Sequence, residues 1–254
     1  MHHKKRLGQN FLVDKNVIEK IIKHIDLYEK DSVLEIGPGD GALTKYISVM
    51  VNKLIIIEKD SDLIDELELI VEMNKNVIMH NIDVLKFKFS SIKTKFRVVG
   101  NLPYNISTEI IFKLCNVKNI LDMHFMLQKE VVDRIISKPD SKVYGRLSVM
   151  AQTYFNIKKL FDISENVFIP RPKVKSSFIR LIPKSKVFDN VKHELCFFDI
   201  VKSAFETRRK MIRSSLNNYL SEKDFANIGI DSKSRAENLT VENYLSISRY
   251  VKEI

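Results

Sequence analysis

The sequence predicts an α/β protein with a mostly parallel, seven-stranded sheet, followed by a small domain made only of helices. Three observations support this fold class. Short apolar runs alternate with helical patterns through residues 32–182. The first of these runs leads into a glycine-rich turn at Gly37, which is typical of a strand, turn and helix unit. Beyond about residue 184, only helical patterns remain.

The strands of the predicted sheet are short apolar runs bounded by turn residues. They are residues 32–36, 53–58, 77–80, 96–100, 122–127, 157–163 and 176–182. Helices alternate with most of these strands. Because each helix carries the chain back to the end of the sheet where the previous strand began, the strands run parallel. The last two runs are joined without a helix, so we expect a hairpin that adds an antiparallel edge.

The helices are predicted from apolar stripes of helical period. Asp14 can cap the first, whose apolar side chains between Val17 and Ile25 fall on one face. The others cover residues 42–51, 60–73, 107–115, 129–137, 147–155, 191–205, 208–220, 222–228 and 241–251. The change of pattern at residues 183–190 predicts two domains, residues 1–185 with the sheet and residues 186–254 with helices.

The charge balance favours a polyanionic partner. The formal net charge is +10, from 42 Lys or Arg and 32 Asp or Glu residues. Nucleic acid is the first choice and an anionic membrane surface the second, although general lysine enrichment would give the same balance. Residues 168–218 carry twelve Lys or Arg and four Asp or Glu, and this clustering favours RNA over an ordinary solvated helix face.

Cysteines and targeting signals exclude several classes of protein. Cys115 and Cys196 lie far apart, so we expect reduced thiols and neither a disulfide framework nor a metal site. No apolar run reaches transmembrane length, and the N-terminus lacks the apolar segment of a signal peptide. We therefore expect a cytoplasmic protein.

A candidate site follows the fourth predicted strand. Asn101 and the carbonyl of Leu102 offer two hydrogen-bond acceptors, and Pro103 keeps that carbonyl away from helical pairing. Tyr104 adds a ring on which a base could stack. This set suits an adenine, since its exocyclic amine has two N–H donors, but a strand that ends in an ordinary turn would also explain it.

Acidic residues at the ends of the second and third predicted strands point to an adenosine-containing cofactor. Glu58 follows Gly37 by 21 residues and ends the second strand, where a carboxylate can accept both hydroxyls of a ribose. Asp83 follows the third strand and can accept from an adenine amine. Each residue alone is as well explained by a structural role. The glycine turn lacks the Lys of a phosphate-binding loop, and nothing supplies a hydride site.

Together these motifs resemble the S-adenosylmethionine-dependent rRNA adenine N6,N6-dimethyltransferases, which have a Rossmann-like fold. The matching segments are GQNFL at 8–12, EIGPG at 35–39, NLPYNIST at 101–108, YGRLSV at 144–149, FIPRPKV at 168–174, AF at 204–205, RRK at 208–210 and RAENL at 235–239. The likeness is greatest to the small-subunit, kasugamycin-resistance branch. Large-subunit enzymes usually read Asn-Ile-Pro-Tyr where this chain has Leu102.

The resemblance implies a reaction and a set of cofactor contacts. The reaction is dimethylation of N6 on two adjacent adenosines near the 3′ end of 16S rRNA, in the small ribosomal subunit or its precursor. S-adenosyl-L-methionine is the implied cofactor. Its implied contacts are Asn10, Leu12, Gly37, Glu58, Asp83 and Asn101. The implied partner is rRNA, and we expect a monomer that needs no metal.

The target base is expected to leave its stack and lie between Tyr104 and Phe168. Without the resemblance, Phe168 is equally well explained as a core residue before a proline-rich turn. Asn101 and the Leu102 carbonyl would accept the N–H bonds of N6, and the neutrality of Asn101 should permit the second methylation.

Basic residues of the C-terminal part are predicted to bind the RNA backbone. They are Arg146, Arg208, Arg209, Lys210 and Arg213, the last four on or beside one helix. Two other functions remain open at this point. One is adenine methylation of large-subunit rRNA, and the other is a ribosome-assembly factor whose main role is binding the immature small subunit.

Overall fold

The computed structural model describes residues 9–185 and 187–253, so Gly8 of the GQNFL motif and Lys186 at the predicted domain boundary lie outside the described residues. The chain forms two compact units. The first is Met1–Val132 with Ile157–Pro183, and the second is Asp133–Asn156 with Lys184–Ile254. The predicted division after residue 185 differs from these units, because residues 133–156 group with the C-terminal helices through contacts that local sequence patterns do not reveal.

The first unit is built on the predicted sheet. The strands of the described residues are β1 Phe11–Leu12, β2 Ser32–Ile36, β3 Lys53–Glu58, β4 Val77–Asn81, β5 Phe96–Asn101, β6 Ile120–Gln128, β7 Phe155–Ile163, β8 Phe168–Ile169 and β9 Ser176–Pro183. Seven of them pair in the order β4-β3-β2-β5-β6-β9-β7. The strands from β4 to β6 are parallel, and β9 is antiparallel to β6. The mostly parallel, seven-stranded sheet is therefore confirmed.

A second, smaller sheet was not predicted. Strands β1 and β8 pair antiparallel, with Phe11 opposite Ile169 and Leu12 opposite Phe168. Strands of two residues are too short to show a period in the sequence. This pairing joins the N-terminal segment to the segment that precedes the proline-rich turn.

The helices of the first unit cover the sheet with their apolar faces. They are α1 Lys15–Ile25, α2 Thr44–Ile47, α3 Ile64–Met73 and α4 Ser107–Cys115, and α5 Lys129–Ile135 runs across the division between the units. Asp14 caps α1 as predicted, since its side chain accepts the Val17 N–H at 3.1 Å. The buried side of α1 consists of Ile18, Ile21, Ile22 and Ile25, which belong to the main hydrophobic core.

The second unit is helical. It contains α6 Arg146–Tyr154, α7 Val191–Glu206, α8 Ile212–Ser215, α9 Glu222–Asn227 and α10 Val241–Glu253. Fully buried His193 of α7 lies 3.0 Å from the Ser248 hydroxyl of α10 and 3.2 Å from Asp189. This Ser, His and Asp arrangement resembles that of a hydrolase, but burial of both His193 and Ser248 leaves no access for a substrate. It therefore joins two helices.

One predicted helix is much shorter than expected. Residues 208–220 were expected to be helical, yet α8 covers only Ile212–Ser215. Met211 is extended and forms an antiparallel bridge with Arg235, and the Ile212 N–H donates to the Ser234 carbonyl at 2.6 Å. Because these long-range bonds need an extended backbone, the basic residues before Met211 lie in a turn after α7.

Candidate active site

Most of the predicted catalytic and cofactor-binding residues surround one cavity at the carboxyl ends of β2, β3 and β5. Predicted residues among its lining are Asn10, Leu12, Gly37, Glu58, Asn101, Leu102 and Tyr104. A second cavity is lined by Asp83 and shares Gly37 and Glu58 with the first. Ligands of open α/β sheets bind at this edge, so the two cavities together form the candidate site.

The glycine turn brings main-chain atoms close to the cavity. Gly37 and Gly39 have φ angles of 68° and 62°, which residues with a Cβ rarely adopt. A Cβ on Gly39 would also lie only 3.1 Å from the Phe11 ring. The Gly39 N–H donates to Glu58 at 3.2 Å, so the turn is tied to the end of β3.

The Glu58 carboxylate is held in a fixed orientation. Its Oε1 accepts the N–H groups of Lys59 and Asp60, each at 2.8 Å. Burial raises the pKa of Glu58, and the backbone N–H donors oppose that shift. A buried carboxylate with a fixed orientation at a cavity wall suits binding of a polyhydroxyl ligand such as ribose.

Asp83 stands at the wall of the second cavity with two partners. It accepts the Leu85 N–H at 2.9 Å, and the Lys59 ammonium lies 2.8 Å from its other oxygen. The hydrogen bond from Lys59 lowers the pKa of the Asp83 carboxyl, which keeps it charged. An adenine amine at Asp83 would therefore share the carboxylate with Lys59.

Asn101 is the last residue of β5, and its side-chain amide has a defined orientation. The Nδ2 group donates to the main-chain carbonyl of Asn10 at 2.9 Å. A carbonyl can only accept, so this bond assigns the nitrogen to Asn10 and leaves Oδ1 as an acceptor. The next residue, Leu102, is fixed by its N–H, which donates to the Met126 carbonyl at 3.2 Å.

Tyr104 lines the same cavity, and its phenol oxygen lies 2.9 Å from the Ser176 hydroxyl. Burial raises the pKa of Tyr104. The ring is therefore a neutral surface beside the acceptors of Asn101 and Leu102.

The structure does not bring Phe168 to the cavity wall. Its side chain is only 2% exposed and belongs to the hydrophobic core. The reason is the pairing of β8 with β1, which places Phe168 opposite Leu12, another core residue. In this structure Phe168 packs in the core, apart from the cavity that Tyr104 lines, and its stacking on a target base stays a prediction.

Glu35 is a cavity residue to which the sequence assigned no role. It is 2% exposed, lies in β2 directly before the glycine turn, and accepts the Thr44 hydroxyl at 2.7 Å. Burial raises its pKa to about 8. The signal was available, because a single Glu interrupts an otherwise apolar strand that ends at a ligand-binding turn.

The predicted RNA-binding residues all belong to the second unit, but they differ in pairing. Arg208 and Arg213 form ion pairs of 2.7 Å with Glu237 and Glu222. Arg146, Arg209 and Lys210 are exposed, and no ion pair is found for them within the described part of the chain. These three side chains are available for phosphate contacts.

Two further findings concern classes of protein considered above. In residues 9–185 and 187–253, no cluster of His, Cys, Asp and Glu side chains could hold a metal ion. None of the helices in that same range is long and apolar enough to cross a membrane.

Comparisons with known proteins give close relatives. A profile of the family described as ribosomal RNA adenine dimethylase matches residues 1–253. Curated relatives named ribosomal RNA small subunit methyltransferase A include that of Nitrosospira multiformis, which is 43% identical over 99% of this chain and 97% of its own length. The relative of the same name from Neisseria meningitidis serogroup A is 43% identical over 98% of this chain and 96% of its own length.

Solved structures share the fold. A dimethyladenosine transferase from Plasmodium falciparum superimposes with a TM-score of 0.81 at 24% identity, covering 93% of this chain and 95% of its own. The 23S rRNA methyltransferase ErmE superimposes with a TM-score of 0.74 at 23% identity, covering 95% and 99%. These likenesses confirm the Rossmann-like methyltransferase fold.

Proposed function

Since this chain belongs to the ribosomal RNA adenine dimethylase family, we propose that it methylates N6 of two adjacent adenosines near the 3′ end of small-subunit (16S) rRNA. The methyl donor is S-adenosylmethionine. The observation that carries this proposal is the Asn101 amide, whose nitrogen is held by Asn10 while its oxygen remains an acceptor beside the cavity. The names of the relatives support the small subunit as substrate.

The cavity residues fit S-adenosylmethionine. Gly37 allows close approach of the main chain, Glu58 would bind the ribose hydroxyls, and Asp83 would bind the adenine amine. Glu35 adds a buried carboxyl group to the wall of the same cavity. When bound, S-adenosylmethionine supplies a methyl group on a positively charged sulfur, and Asn10 and Leu12 would line the cavity near the methionine portion.

The acceptors at residues 101 and 102 would make adenine N6 a better nucleophile. The lone pair of adenine N6 is delocalised into the ring, so N6 is a poor nucleophile. Asn101 Oδ1 and the Leu102 carbonyl would accept its two N–H bonds, draw electron density onto nitrogen and orient the lone pair. No strong base is required, because the proton can leave after methyl transfer.

The second methylation is favoured by the neutrality of Asn101. After the first transfer N6 has one N–H, so one of the two acceptors loses its partner. A neutral amide oxygen tolerates this loss better than a buried carboxylate. The base would stack on Tyr104 after leaving the RNA stack.

RNA binding is assigned to the second unit. Arg146, Arg209 and Lys210 would contact phosphates, whereas Arg208 and Arg213 first have to leave their carboxylate partners. The double variant R209A/K210A should weaken RNA binding and reduce the slope of log K against log salt by about two. Arg213→Ala is the matched control and should change this slope less.

The proposal is tested with purified particles. The chain is incubated with labelled S-adenosylmethionine and with small or large subunits that lack adenine methylation, and the modified nucleosides are identified by mass spectrometry. We expect dimethyladenosine in the small-subunit RNA only. Transfer to large-subunit RNA instead, or binding to small subunits without transfer, would overturn it in favour of one of the two other functions.

We also propose that the active form is a monomer, since the exposed apolar side chains of the described residues are scattered over several elements. Sedimentation of the purified protein with and without substrate tests this.

A further inference from the structure

The Tyr104 side chain is held by one specific hydrogen bond. Its phenol oxygen lies 2.9 Å from Oγ of Ser176, the first residue of β9. Ser176 is fully buried, and Tyr104 is the hydrogen-bond partner of its hydroxyl. Ser176 does not line the cavity, so it can influence a ligand there through the tyrosine.

The backbone at Ser176 is held by strand pairing, whereas the backbone at Tyr104 lies in a turn. Ser176 pairs with Gln128 at the end of β6, and the Lys129 N–H donates to the neighbouring Lys175 carbonyl at 2.9 Å. Tyr104, in contrast, lies in the turn between β5 and α4. A strand in the interior of a sheet thus fixes the far end of a side chain that belongs to a turn.

We propose that Ser176 is a positioning residue for methyl transfer, because it fixes the position of the Tyr104 ring on which the target adenine stacks. The inference rests on the proposed function. Rotation about the Cα–Cβ bond of a tyrosine carries the phenol oxygen along an arc, so anchoring that oxygen holds this rotation and fixes where the ring lies. The stacked base, and with it N6, then meets the acceptors of Asn101 and Leu102 in one orientation.

The proposed role of Ser176 links it to the proline-rich segment, residues 168–174, that precedes it in the chain. Phe168 at the start of this segment packs in the core, and Ser176 follows two residues after its end. On this view the segment delivers a buried hydroxyl to the active site.

The test compares Ser176→Ala with Ser177→Ala. Ser177 is the matched control, because it is also fully buried and bonds through its hydroxyl, to Asp162, from the other face of β9. We expect Ser176→Ala to lower kcat on small-subunit RNA by about tenfold, the equivalent of one lost hydrogen bond. The Kd for S-adenosylmethionine should stay within about twofold of the wild type in both variants, and Ser177→Ala should retain its kcat.

A second readout follows the base itself. RNA with 2-aminopurine at a target position should fluoresce more strongly when bound to Ser176→Ala than to the wild type, because a loosely held ring quenches less. Tyr104→Phe removes the same hydrogen bond from its other side, and it should give the same loss of kcat. Combining it with Ser176→Ala should cause no further loss.

Several results would overturn the inference. They are a wild-type kcat for Ser176→Ala, equal losses in Ser176→Ala and Ser177→Ala, or additive losses in the double variant with Tyr104→Phe. A wild-type protein that transfers no methyl to adenine would overturn the proposed function instead. In that case the emission of bound 2-aminopurine still decides whether Ser176 orients the ring.

Discussion

Polar side chains at the amino end of the central sheet bond to one another, whereas those at the carboxyl end face a cavity. At the amino end, the buried Arg97 guanidinium contacts Asp122 at 2.8 and 3.0 Å, Asp31 at 3.0 Å and the Asp26 carbonyl at 2.7 Å. At the carboxyl end, the Asn101 amide of the same strand donates its N–H to the Asn10 carbonyl, and its side chain lines the cavity. One strand thus carries a buried ion-pair cluster at one end and the proposed acceptor of the methylation reaction at the other.

The largest expected effect tests the stabilising end. Arg97→Met leaves the buried Asp122 carboxylate without its main partner and should lower the free energy of unfolding by about 3–5 kcal/mol. Chemical denaturation measures this loss, and methyl transfer per folded molecule should be unchanged. Arg180→Met is the control, since Arg180 also contacts Asp122, at 2.6 Å, but is partly exposed. It should cost less than about 1 kcal/mol.

The counterpart at the carboxyl end is Asn101→Ala. Loss of a positioned acceptor should reduce kcat on small-subunit RNA by about 10²–10³-fold. The free energy of unfolding should change by less than about 1 kcal/mol, because Asn101 is partly exposed. A variant that loses stability and activity together would erase the distinction between the two ends.

Glu35 sharpens the comparison through pH. Its folded-state pKa of about 8 lies above the ordinary value of 4.5, so the folded protein retains a proton that the unfolded chain has lost between these values. The free energy of unfolding of the wild type should therefore fall as pH rises through this window. Glu35→Gln should remove this dependence and gain about 2–4 kcal/mol above pH 8. Denaturation at pH 5, 7 and 8.5 measures the difference, and a constant difference across pH would contradict the prediction.

The smallest effect concerns the ratio of products. Asn101→Asp should let monomethyladenosine accumulate several-fold, because a charged acceptor left unpaired after the first transfer is unfavourable. The same change places a carboxylate oxygen beside the Asn10 carbonyl, where only a donor fits, so the variant should regain activity as pH falls and the carboxyl is protonated. Mass spectrometry of digested RNA measures the ratio, and an unchanged ratio would refute the role of neutrality.

The sheet and the cavity could be predicted because they depend on local patterns. Apolar runs of four to eight residues encode buried strands, and the residues that end them, such as Glu58 and Asn101, meet at one edge by the geometry of parallel strands. Their side-chain orientation could not be predicted, since the Asn10 carbonyl that orients Asn101 lies 91 residues earlier in the chain.

Long-range pairing also explains what the sequence could not show. Phe168 belongs to the core because β8 pairs with β1, which is invisible in either segment alone. In the same way, a count of basic residues could not show that Arg208 and Arg213 are paired with carboxylates. Nor could it show that Met211 forms a β-bridge with Arg235 and therefore cannot be helical. Composition gives the sign of a surface, and tertiary contacts decide which charges remain available.

The bond between Asn10 and Asn101 has a thermodynamic consequence. Residues 10–12 line the cavity assigned to the methyl donor, and the same segment holds the amide assigned to the acceptor base. If the methyl donor orders residues 10–12, the target base meets an Asn101 amide that is already oriented, and its binding costs less conformational entropy. Linkage is reciprocal, so we expect substrate RNA to tighten donor binding by the same factor by which the donor tightens RNA binding.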